Sequence, residues 1–84
     1  MTIAPPATIT TVISDFLGSA PSLEEIIAFR LPEAIEQRSL ELLAKNREGT
    51  LTPDVRAEMD EFTRMGQFMN RVKLRARLKL AGLE

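Results

Sequence analysis

Asp54, Glu58 and Glu61 stand four and then three residues apart, a spacing that puts three carboxylates on one side of a helix. Such a trio could hold a hard cation or pass a proton in general acid–base work. The rest of the chain withholds the groups that usually complete either chemistry. There is no His, the commonest metal ligand and base, and no Cys. A di-iron bundle needs Glu-x-x-His pairs, and a calcium loop needs its acids around a central Gly. The trio borders an apolar stripe and reads as a solvated shoulder. Ser14, Ser19, Ser22 and Ser39 have no His or Lys at nucleophile spacing. Gly18, Gly49, Gly66 and Gly82 are isolated, so no phosphate-binding loop occurs. The expectation is a protein that is not an enzyme, with no catalytic or metal-ligating residue, no cofactor and no evident small-molecule substrate.

The chain has 84 residues, 44% of them apolar and 27% charged, with a net charge of −1. That composition is globular, not disordered and not globally basic. A chain this short buries only about 60% of the surface that its unfolded form exposes. It has no disulfide to compensate. No Lys or Arg precedes Arg30, and Pro5, Pro6, Thr8, Thr10 and Thr11 interrupt the apolar run, so the first residues do not read as a secretory signal. No stretch approaches the 18 or so apolar residues of a membrane span. A cytoplasmic location without a membrane partner is expected.

Residues 1–21 read as an irregular N-terminal arm, rich in Pro and Thr, and residues 22–84 as a single helical domain. Within the arm, residues 7–13 alternate well enough to become a strand if an edge is offered, and residues 12–17 could make a short helical turn ending near Gly18. Ser22 followed by Glu25 is a capping box and opens a short helix over about 22–31. Pro32 ends it and suits the first position of the next. That helix spans about 32–48 and stops at Gly49, a natural left-handed cap. Its apolar face holds Leu31, Ile35, Ser39, Leu42, Leu43 and Asn46, with Leu40 at the flank. Thr52, Pro53 and Asp54 then form a strong start signal for a helix over about 53–81. The spacing predicts an all-α fold: an antiparallel helical hairpin with a very long C-terminal helix and a short N-terminal helix, completed by oligomerisation.

In the last helix Val55, Met59, Phe62, Met65, Gly66, Met69, Val72, Ala76, Leu80 and Leu83 share one sector of about 140°. Gly66 inside that stripe points to a close approach by another helix. The helix before it is shorter and would cover it only to about residue 70. Some 12 residues, about 18 Å, would project beyond. This overhang is apolar on two sides, because Leu74 and Leu78 form an i,i+4 pair away from the stripe. The expected partner interface is therefore Phe68, Met69, Val72, Leu74, Ala76, Leu78 and Leu80, buried by a second copy or by another protein.

Charge is segregated along the chain. Residues 1–70 carry a net −5 and residues 71–84 a net +4, from Arg71, Lys73, Arg75, Arg77 and Lys79 against Glu84. Arg71, Arg75 and Lys79 would form a charged rim that steers pairing. A macrodipole complement with ion pairs to Glu24, Glu25, Glu33 or Glu36 is the plainer reading. Nucleic acid is the less favoured partner, because the basic side chains are scattered around the helix and lack aromatic interleaving.

From Leu31 the sequence runs LPEAIEQRSLELLAKNREGTLTPDVRAEMDEFTRMGQFMNRVKLRARLKL. It resembles a loose group of short, mostly uncharacterised bacterial helical-hairpin proteins, some labelled antitoxin-like. The match covers residues 31–80 and is carried by residues 46–53, 58–62 and 73–77. The resemblance implies binding to a protein partner, a toxin nuclease among the candidates. Longer relatives carry an N-terminal ribbon–helix–helix-like module, which residues 1–21 are too short and Pro-rich to supply. Together these features lead to the expectation of a non-catalytic, helix-mediated protein-interaction module, antitoxin-like. The alternative is a small nucleic-acid-binding transcriptional regulator that uses the basic C-terminal helix or a dimeric N-terminal ribbon.

Overall fold

The computed structural model describes residues 8–83. They form four helices in the order α1 (Ile9–Gly18), α2 (Leu23–Ala28), α3 (Glu33–Glu48) and α4 (Pro53–Leu80), with no strand among the described residues. The fold is all-α, as expected. Helix α4 has 28 residues, about 42 Å at 1.5 Å per residue. All three other helices pack on it.

Two of the starts and one stop follow the sequence signals. Ser22 Oγ accepts from the Glu25 N–H at 3.1 Å while Glu25 Oε1 accepts from the Ser22 N–H at 3.0 Å. The Gly49 cap has φ 73, the left-handed region where Gly has no Cβ penalty. Thr52 Oγ1 accepts from the Val55 N–H, with Pro53 next in the chain.

Helix α1 corrects the expectation of an irregular arm. Ile9, Val12, Ile13, Phe16 and Leu17 fall at i, i+3, i+4, i+7 and i+8, a helical apolar face, and all five are buried or packed against the core. Its start is a capping box built from two threonines: Thr11 N–H donates to Thr8 Oγ1 at 3.1 Å and Thr8 N–H to Thr11 Oγ1 at 2.9 Å. The strand reading of residues 7–13 gives way over residues 9–13, which are helical. With it goes the ribbon that the nucleic-acid reading would have used there. Ala7 and the residues before it lie outside the described residues.

Helix α2 ends at Ala28, short of the expected Leu31. Phe29 leaves helical space with ψ 133. Its ring stacks on Phe16 with centroids 4.4 Å apart. Its carbonyl is taken at 2.8 Å by Lys73 Nζ, a part-buried bond between residues 44 apart that ties the end of α2 to α4.

The buried core consists of Ile9, Ile13, Ile35, Leu42, Met69 and Ala76. Four of them, Ile9, Ile13, Ile35 and Met69, form one cluster joining α1, α3 and α4. The length mismatch between α3 and α4 is therefore made up by the chain itself on the stripe side: α1 and α2 lie along α4, and Ala76 is only 2% exposed.

Gly66 is not a point of close approach, because a Cβ built there meets nothing within 4 Å. It borders a 260 Å³ groove with Ile13, Leu31 and Met69. With space available, only the helix-propensity cost of glycine remains. Gly66→Ala is expected to stabilise the fold by about 1 kcal/mol and raise the melting temperature by about 4–8 °C. A lower melting temperature would show that the side chain is not accommodated.

Candidate functional site

Two of the three carboxylates, Glu58 and Glu61, are used in holding the fold. Glu58 accepts from Arg38 Nε and Nη2 at 2.7 and 2.8 Å, a two-pronged pair between α4 and α3. Arg38 Nη1 also donates to Glu41 at 2.9 Å. The guanidinium holds the Glu58 carboxyl below the usual glutamate range. Glu61 Oε1 accepts from Thr10 Oγ1 at 2.9 Å, pinning the start of α1 to α4. Asp54 is exposed near the start of α4. Among the described residues no three acidic side chains converge on a point that could hold a cation. A 540 Å³ groove between α1, α3 and α4 has Ile9, Ile35 and Phe62 in its walls. The charged groups beside it, Arg38, Glu58 and Glu61, are those already engaged.

What remains is the surface of α4 beyond α3. The seven residues of the expected interface divide. Met69 and Ala76 are buried and Val72 packs against the core cluster, so within this chain they form its interior. Their correction has a simple cause: α1 and α2 occupy the side of α4 that the sequence left open. Phe68, Leu74 and Leu80 are exposed at 43%, 53% and 47%, and Leu78 is half-buried. The exposed surface therefore reduces to Phe68, Leu74 and Leu80, with half-buried Leu78 among them and Leu83 beyond. Leu74 and Leu78 sit about 180° around α4 from the buried stripe at 100° per residue.

The rim residues Arg71, Arg75 and Lys79 are all exposed. Another basic side chain of the set, Lys73, turns inward to the Phe29 carbonyl. Arg71 and Arg77 make no ion pair with a described residue.

A second apolar patch was missed. Leu40 and Leu43 on α3 are 60% and 45% exposed. The sequence pattern places Leu43 on the apolar face, yet α3 turns Ile35 and Leu42 inward and leaves both leucines outside. On a helical wheel Leu43 lies about 100° and Leu40 about 160° from Leu42, which could have marked Leu40 as outward.

No family model matches this chain, and no curated protein or solved structure matches it either. No helix among the described residues is long and apolar enough to cross a membrane.

Proposed function

We propose that the chain is a non-catalytic, helix-mediated protein-interaction module whose antiparallel hairpin of α3 and α4 is completed by a second chain. That chain is another copy or a different protein, a toxin if the resemblance to antitoxin-like proteins extends to function. One observation carries the reading. Six large apolar side chains (Leu40, Leu43, Phe68, Leu74, Leu80 and Leu83) are exposed, as many residues as the core buries. Exposed apolar groups that cluster mark interaction sites more often than isolated ones do, and a core of six residues leaves a short chain with little stability in reserve. Covering the exposed leucines would supply what the core lacks.

The test is the melting temperature over about two decades of protein concentration, with the molar mass by light scattering, alone and mixed with the products of neighbouring genes. Anything that binds only the folded chain raises its apparent stability by mass action. The expected result is a melting temperature that climbs with concentration or with an added partner. A monomer whose sharp transition ignores both would contradict the proposal. The second reading, a nucleic-acid-binding regulator, draws on the basic set between Arg71 and Lys79; it requires affinity for duplex DNA that falls steeply with salt.

A further inference from the structure

The chemistry of the partner can be argued from the outward strip of α4. Leu74, Leu78 and Ala81 follow one another at spacings of four and three, the d–a–d seam of a heptad pattern. Leu74 is 53% exposed and Leu78 half-buried. In that register Arg75 and Arg77 occupy the flanking e and g positions, and Arg71 takes the preceding a position. The seam is thus apolar at its centre and basic on both borders.

A second copy fits it poorly. Two such strips laid together set arginine borders against arginine borders, each from a segment carrying a net +4 over residues 71–84, and like charges across a seam repel. Nucleic acid would answer the charge but use the leucines little, since phosphates and base edges are read chiefly by polar and charged side chains, and single strands by aromatic platforms. A helix with an apolar seam bordered by Asp or Glu answers both features at once. Its side chains interdigitate with Leu74 and Leu78, and its acids meet the arginines.

We infer that the strip bearing Leu74 and Leu78, with Arg71 and Arg77 beside it, docks an acidic amphipathic helix of another protein. This inference rests on the interaction-module reading and names its partner's chemistry.

The probes are two synthetic helical peptides of about three heptads, with identical Leu at a and d, one with Glu and the other with Lys at e and g. Binding to the full-length chain is read by fluorescence anisotropy. The Glu peptide is expected to bind, to weaken with added salt, and to lose about tenfold in affinity on Leu74→Ser. The Lys peptide is expected not to bind. Leu74 is exposed, so this variant should keep the parent's melting temperature. If it does not, Arg77→Glu is the second variant, and it should shift preference towards the Lys peptide.

Equal binding of both peptides, or binding indifferent to both substitutions, overturns the inference. So does self-association through this strip, abolished by Leu74→Ser, but it leaves the module reading standing. Binding of duplex DNA that persists in Leu74→Ser, with no peptide bound, overturns it in favour of nucleic acid. A concentration-independent monomer that binds neither peptide removes the inference, and removes the module reading too if the products of neighbouring genes leave its melting temperature unchanged.

Discussion

Replacing Ile13 by Ala is expected to cost about 2–5 kcal/mol, the range for truncating a fully buried aliphatic side chain. Ile13 is 1% exposed and sits with Ile9, Ile35 and Met69 in the cluster that joins α1 to α3 and α4. Small domains are stable by only about 5–15 kcal/mol, so the loss is a large share of the total. The melting temperature should fall by at least about 10 °C. Val12→Ala, on the same helix but half-buried, should have a clearly smaller effect. If Ile13→Ala melts within about 2 °C of the parent, α1 does not belong to the core and is an appendage to the other three helices.

That outcome matters because α1 is the element least legible in the sequence. Its opening residues, Ile9, Thr10, Thr11, Val12 and Ile13, are all β-branched, with a local preference for strand over helix. The Thr8–Thr11 box lacks the Glu or Gln that usually marks a capping box. The helical face was nonetheless present, running from Ile9 and Ile13 to Phe16 and Leu17. Burial of that face against α4 outweighs the local preference, as tertiary packing often does. Helices α2, α3 and α4 were readable because their boundaries are written in short polar signals: Ser22 with Glu25, Gly49, and Thr52 with Pro53. Those signals act locally and need no knowledge of where the helix packs.

The candidate surface was legible to the same degree. The wheel of α4 separated the stripe of Met69, Val72 and Ala76 from the outward pair Leu74 and Leu78. It could not tell which of the two would be covered by the chain itself, since that depends on where α1 and α2 come to rest. The bond from Lys73 Nζ to the Phe29 carbonyl is one of the contacts that decide it. The charged member of such a hydrogen bond is not visible in an apolar pattern, because Lys73 reads from sequence as one more exposed cation.

Leu42→Ala is expected to cost a comparable amount, about 2–5 kcal/mol, but to act in a different place. Leu42 is 1% exposed, yet it lies outside the cluster formed by Ile9, Ile13, Ile35 and Met69. It helps to wall a small 120 Å³ cavity with Ser39, Leu43, Met59 and Phe62, so truncation would enlarge a gap that already exists. The polar tie between α3 and α4 is the Arg38–Glu58 pair, whose side chains are 33% and 36% exposed, while Ile35 holds the start of α3 in the main cluster. Pairs in contact with water add little and would not hold the C-terminal half of α3 in place alone. The second half of α4, by contrast, is held by α1, by α2 and by Lys73. Hydrogen exchange in Leu42→Ala should therefore quicken over residues 39–59 while the amides of residues 65–76 keep most of their protection, the mark of a sub-global opening. In Ile13→Ala the loss of protection should spread over both halves. Uniform loss in both variants would mean that the four helices open as one cooperative unit, and that Leu42 and Ile13 belong to a single core.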